Sequence, residues 1–368
     1  MDRPLIRLDS LGAVGSSLRA EQAQQCFEAI KASHPEAEVI PVPSQGYCSH
    51  TFLVNQPAGL GNASHTRHIL QFRPNKFALD LAITNAAKQV YGPYAPTTVD
   101  VTHLFDSKWI GSSPNLRVYQ MEMIGGVSYD SVAPRHVIIN DEEFRRQSVL
   151  VQGFAAFMAR AWWTDQTKTT ASTGLVGAKL PQKLEDLAAR LPSAHLCDAV
   201  KHAFDSVDLL DTLPPILSHG DIVPSNIMVD SITFELVGLV DWAEAECLPF
   251  GICLHGLEYL LGFITIADDE QQSYQYYDRA GELRSRFWWQ LRLSIPALET
   301  ERLRKALLLA KKIGTLLWHG FAWDDGAIDR VVNEKDDAAE MVYLEAFLSA
   351  CHDDEYCLKG HRRDSMLN

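Results

Sequence analysis

At 368 residues, 46% of them hydrophobic, the chain is long enough for two packed lobes or one large domain with a substantial core. Thirty-three basic residues against 47 acidic ones leave a formal charge of −14, and no basic run exists to follow a phosphate backbone, so nucleic acid is excluded as an expected partner. Seven cysteines, at 26, 48, 197, 247, 253, 351 and 357, form no CxxC pair and read as buried free thiols of a reducing compartment. The longest apolar runs are too short to span a bilayer, so the expected location is the cytosol, away from membranes.

In chain order, Ala23, Cys26, Phe27 and Ile30 recur at helical spacing after a possible cap at Ser17, which predicts a short amphipathic helix. Residues 39–43 and 51–54 predict a hairpin whose loop carries Gly46, and residues 68–73 predict a third strand. A helix over 77–90 stops at the Tyr-Gly-Pro turn of 91–93. Two strands follow, at 99–105 and 116–123, and end at the Gly125-Gly126 hinge. Beyond it the pattern is mainly helical, most clearly over 142–163, 181–191, 194–204 and 301–318. The expected class is therefore α+β, with a small antiparallel β lobe over 1–123 and a larger α-rich lobe over 124–368.

The informative stretch is Ser218-His219-Gly220-Asp221-Ile222-Val223-Pro224-Ser225-Asn226. An apolar run, Ile227-Met228-Val229, follows it, and after a turn comes Leu236-Val237-Gly238-Leu239-Val240-Asp241-Trp242. A loop thus carries one carboxylate and one carboxamide, and a hairpin delivers a second carboxylate at the end of a buried β run. Phosphoryl transfer needs those parts: a carboxylate to accept or orient the attacking hydroxyl, and hard oxygen ligands to hold Mg²⁺ against phosphates. Aspartates also cap turns and asparagine fills left-handed positions, but turn chemistry does not require this joint spacing between two apolar runs.

Asp221 and Asn226 are spaced as in the protein-kinase catalytic loop, with Gly220 replacing its arginine. On these residues the chain resembles the aminoglycoside phosphotransferase and choline kinase-like family, and the Leu-Val-Asp-Trp-Ala-Glu-Ala-Glu wording looks like its fungal branch. The resemblance implies a two-lobed protein-kinase-like fold and transfer of the γ-phosphate of ATP, or another nucleoside triphosphate, to a hydroxyl of a small molecule. It implies Asp221 as base, Asn226 and Asp241 as Mg²⁺ ligands, and His219 as a buttress of the loop.

By the same resemblance the nucleotide lies between the lobes under the loop of 44–49, where Ser44 and Gly46 contribute contacts, although an ordinary hairpin turn accounts for Gly46 equally well. Glu122 and Met123 fall where the family's backbone binds adenine. The third strand lacks the expected lysine. Gln71 occupies its aligned position, while Arg73, on the same face, has the charge and pairs in expectation with Asp80. The acids and aromatics after the motif, among them Glu244, Glu246, Glu258, Trp318, His319, Trp323, Asp324 and Asp325, suit an amine-bearing acceptor, though aromatics at helical spacing are more often core. The alternative is a catalytically degenerate pseudokinase that binds nucleotide or a protein partner. Oligomeric state is not legible.

Overall fold

The structure is a computed structural model that describes residues 20–354 apart from 44, 47, 58–65, 106–115, 165–175, 268–270, 325–326 and 352. The chain divides into two compact units, one of residues 1–85 and 96–123 and one of residues 86–95 and 124–368.

In the first unit, helix α1 (Ala20–Ser33) precedes strands β1 (Glu38–Pro41), β2 (His50–Gln56) and β3 (Thr66–Pro74). Helix α2 (Leu81–Tyr91) passes into the second unit, and β4 (Thr98–Asp100) and β5 (Leu116–Glu122) complete the sheet. All pairings are antiparallel, in the order β1-β2-β3-β5-β4. Alternation puts Phe52 and Val54 of β2, Leu70 and Phe72 of β3 and Val118 of β5 into one core with Cys26, Ala29 and Ile30 of α1. The helical spacing of those last residues is thus the imprint of a sheet face, while the Ser17 cap lies outside the described residues.

Two expected boundaries move because side chains cap turns. The helix expected from 77 begins at Leu81, since Pro74 leads into a separate 3-10 turn over Asn75–Phe77 and the Asp80 carboxylate accepts from the amide of Ala82 at 2.8 Å. The strand expected over 99–105 ends at Asp100, whose carboxylate accepts from the Thr102 amide at 2.8 Å and opens a 3-10 turn over Thr102–Leu104.

In the second unit, β6 (Val127–Ser128) precedes α3 (Asp141–Trp163), which opens with a reciprocal capping box between Asn140 and Glu143. Then come α4 (Leu180–Arg190), α5 (Ala194–Phe204), β7 (Pro215–Ser218), β8 (Ile227–Val229), β9 (Leu236–Leu239) and β10 (Glu246–Pro249). A buried 3-10 segment, Ile252–Leu260, leads to the hairpin β11 (Gly262–Ile266) and β12 (Gln272–Tyr276). Helices α6 (Ala280–Ser294) and α7 (Glu301–His319), the hairpin β13 (Phe321–Asp324) and β14 (Ala327–Val331), and α8 (Ala338–Ser349) close the chain. Gly314 lets α7 sit directly on the 3-10 segment, because a Cβ there would collide with the Ile252 carbonyl.

This unit also buries four charges. The Glu258 carboxylate takes both terminal nitrogens of Arg284, at 2.5 and 2.9 Å, and the ammonium of Lys311 at 2.5 Å. Asp354 pairs with the same Arg284 and Lys311 and accepts from the Trp288 indole at 2.8 Å. All four side chains are at most 2% exposed, and two acids balance two bases, the condition under which such burial is tolerated. No described helix is long and apolar enough to cross a membrane.

Candidate active site

The loop after β7 and the hairpin β8–β9 are laced together by one histidine. His219 is buried, its Nδ1 accepts from the Asp221 amide at 3.2 Å, and its Nε2–H donates to the Val240 carbonyl at 2.9 Å. A ring that accepts at one nitrogen and donates at the other must be neutral. Burial drives its pKa down to about 4, against the opposing pull of the Val240 carbonyl and the Asp241 charge. One imidazole thus ties the backbone at residue 221 to the peptide that precedes residue 241, and its ring packs on Trp242 at 4.4 Å between centroids.

Asn226 closes the loop from within. Its side-chain nitrogen donates to the Asp221 carbonyl at 3.0 Å and to the Asp221 carboxylate at 2.8 Å, while its own carbonyl accepts from the Val240 amide at 3.0 Å. With the carboxamide nitrogen spent on Asp221, Oδ1 is the atom left over, a hard oxygen without a donor among the described residues. Asp241 sits one residue past Val240 at a positive φ of 59°, a region aspartate visits at modest cost and one where strained functional residues gather. Burial pushes the Asp221 carboxyl up to about 7, the neighbouring charge of Asp241 adds to this, and the bond from Asn226 opposes it.

A half-buried carboxylate bonded to a half-buried carboxamide, with a second, exposed carboxylate, suits a divalent cation that keeps water or phosphate oxygens in its shell. Among the described residues no three His, Cys, Asp or Glu side chains gather around one point, so nothing competes for zinc-type ligation.

Against this geometry stand the comparisons with known proteins. A family model, the phosphotransferase enzyme family, matches residues 86–251, the stretch that holds the whole loop and hairpin. The resemblance seen in the motif therefore holds at the level of the family: over that stretch this chain is similar to the phosphotransferase enzyme family. Among solved structures, the GDP complex of an aminoglycoside phosphotransferase mutant superposes with a TM-score of 0.51 at 14% identity, covering 92% of this chain and 99% of its own. A Plasmodium vivax ethanolamine kinase gives 0.46 at 11% identity, covering 94% of this chain and 98% of its own. Choline kinase LicA from Streptococcus pneumoniae gives 0.43 at 12%, covering 92% and 98%. No curated protein matches the chain by sequence. The fold is α+β and protein-kinase-like, with its antiparallel sheet in the N-terminal region and its helices mainly C-terminal.

In this phosphotransferase-like chain the residues expected on the nucleotide side behave unevenly. Ser44 lies outside the described residues. Gly46 closes a turn in which its carbonyl accepts from the Ser49 amide at 3.5 Å. Gln71 and Arg73 are buried and bonded to one another at 3.1 Å. Gln71 also donates to the Thr51 hydroxyl at 3.2 Å, and Arg73 donates to the Phe77 carbonyl at 2.8 Å. Arg73 does not pair with Asp80, which is occupied as the cap of α2. Glu122 accepts from the Thr97 amide and hydroxyl at 3.2 and 3.1 Å, and Met123 follows it, half-buried.

The acids expected on the acceptor side mostly do structural duty. Glu246 is buried and accepts from the amides of Val176 and Gly177 at 3.2 and 3.0 Å, and Glu258 belongs to the buried quartet. Asp325 and the side chains of Trp323 and Asp324 lie outside the described residues. The motif reading missed a cavity of about 240 Å³ whose wall includes Pro224 and Ser225 of the loop together with Tyr129, Tyr259, Tyr274 and Tyr343. Residues so far apart leave no local pattern by which they could have been found.

Proposed function

We propose that the protein is an ATP-dependent, Mg²⁺-requiring phosphotransferase that acts on a hydroxyl of a small molecule in the cytosol. The observation that carries this reading is the locked pair Asp221–Asn226, with Asp241 fixed beside it through His219 and Val240. Asn226 and Asp241 would hold the Mg²⁺, which when bound neutralises charge on the phosphate oxygens.

Asp221 accepts or orients the acceptor's proton. The acceptor oxygen forms a bond to the γ-phosphorus, the bond from that phosphorus to the β–γ bridging oxygen breaks, and the diphosphate leaves with the electron pair. Asn226, by donating to the Asp221 carboxylate, holds it in one rotamer, so positioning and charge do the work rather than covalent chemistry. The neutral His219 keeps the two carboxylates apart at fixed backbone positions.

The second reading, a nucleotide-binding pseudokinase, is favoured by one observation: the third strand has Gln71 where the phosphate-binding lysine is expected, and Arg73 is engaged by the Phe77 carbonyl. The test is the shift in Tm with Mg²⁺ and ATP or GTP. Stabilisation of the native protein and its loss in Asp241→Asn support the metal site, whereas the absence of any nucleotide effect sinks both readings. With an accepted substrate, Asp221→Asn removes transfer and keeps the nucleotide shift. A variant that transfers at the native rate would strip Asp221 of its role.

A further inference from the structure

We propose that the acceptor is a small uncharged alcohol bearing an aromatic ring, seated in the tyrosine-lined cavity beside the catalytic loop, and that polycationic and quaternary-ammonium acceptors are excluded. The proposal rests on the phosphotransferase reading and gives it a substrate class.

The cavity lies within the second unit and shares Pro224 and Ser225 with the loop that carries Asp221. The loop is joined to the opposite wall by a bond from the Asp130 amide to the Pro224 carbonyl at 3.1 Å. Burial raises the Tyr259 hydroxyl well above its ordinary value, and the Asp221 carboxylate is among the charges that add to it, so this wall lies within electrostatic reach of the loop. At about 240 Å³ the cavity falls below the roughly 300–1,000 Å³ of sites for drug-sized ligands, which suits one ring with a short arm.

The wall is aromatic surface rather than hydroxyl. Tyr129 bonds with Gln147 at 3.0 Å, Tyr274 donates to the Glu258 carbonyl at 2.5 Å, and the Tyr259 hydroxyl meets His319 Nε2 at 3.2 Å. His319 Nδ1 lies 2.7 Å from a Glu340 carboxylate oxygen. That contact places a proton on Nδ1, and the Tyr259 hydroxyl is engaged by Nε2. Tyr343 has no hydroxyl partner among the described residues, so its O–H and the Ser225 hydroxyl are left to meet a ligand's polar end.

The lining side chains offer a cation no net charge. The cavity's two charged side chains, Asp130 and Arg135, neutralise each other at 2.6 Å, and Arg135 also donates to the Asp130 carbonyl at 3.0 Å. Glu246 and Glu258, which an amine would have used, are spent on backbone amides and on the buried quartet. Tyr343 packs against Tyr259 and Tyr274 at 5.3 and 5.7 Å between centroids, so the three rings form one continuous aromatic wall.

The experiment measures binding by saturation-transfer NMR on the full chain with a panel of tyrosol, 2-phenylethanol and benzyl alcohol against choline, ethanolamine and kanamycin. A nucleotide Tm shift is recorded alongside, so that failure of the phosphotransferase reading shows separately. The expected result is binding of at least one aromatic alcohol, weakened tenfold or more by Ile264→Trp and by Ala133→Phe, two fillings of the cavity of which at least one should fold, with the corresponding phosphate ester formed from ATP. Binding of no aromatic alcohol, binding indifferent to both fillings, or a larger kcat/KM for any of the three amines overturns the proposal.

Discussion

The backbone carbonyl of Glu244 occupies the space that a Cβ on residue 220 would need, and Gly220 itself stands at a φ of +81°. Both facts demand glycine between His219 and Asp221. The arginine of the protein-kinase loop has no room here, because the turn at residues 243–244 lies against the loop. Gly220→Ala is expected to cost on the order of 2 kcal/mol or more and to disturb Asp221 with it. Chemical denaturation measures the first effect. A native-like stability would show that the loop can move away from Glu244.

The buried quartet predicts an asymmetry. Asp354→Asn leaves Arg284 and Lys311 facing Glu258 alone, an uncompensated buried positive charge, at a cost of about 3–5 kcal/mol. Because the Trp288 indole donates to Asp354, its fluorescence should change in the same variant. The double variant Lys311→Met with Asp354→Leu removes one charge of each sign and should recover most of the loss. A double variant as unstable as the single one would refute the charge argument.

His255 makes stability fall on acidification. Its Nδ1 lies 3.1 Å from the Ile252 carbonyl while Nε2 is buried without a partner among the described residues. Burial, followed by the charges of His319 and Lys311, lowers its pKa to about 3. The unfolded imidazole titrates near 6.5, so between those values the unfolded chain holds a proton that the native chain lacks. Stability therefore drops as pH falls through 6.5, by about 2 kcal/mol at pH 5 from this one group. His255→Phe, which keeps a ring against Trp318, should flatten that slope in denaturant melts between pH 7 and 5. An unchanged slope would mean that the site opens to water before the ring is protonated.

Burial pushes the thiols of Cys253 and Cys351 up to about 11 and that of Cys26 to about 12. Thiolate is the reactive form, so a short pulse of a thiol reagent on the native protein at neutral pH should leave all three unlabelled, and unfolding should expose them. Peptide mass spectrometry reads the result. Rapid native labelling of Cys253, which lies beside the loop of residues 218–220, would show that the loop opens.

The sequence by itself determined the elements whose evidence is local. Apolar residues at helical spacing gave α1, α3, α5 and α7, and short runs bounded by turn residues gave the strands of the first unit. The fixed interval from Asp221 to Asn226, flanked by apolar runs, marked the candidate site because loop closure and hairpin delivery are written in consecutive residues. Helices α6 and α8 went unread, since their apolar positions serve partners on several sides rather than one stripe. Only the tertiary structure decided that Glu246 and Glu258 are structural acids, that Arg73 turns to Phe77 rather than Asp80, and that Tyr129, Tyr259 and Tyr343 share one wall. Those relations join positions far apart in the chain or hang on the direction a side chain takes, and folding alone brings such groups within hydrogen-bonding or van der Waals distance.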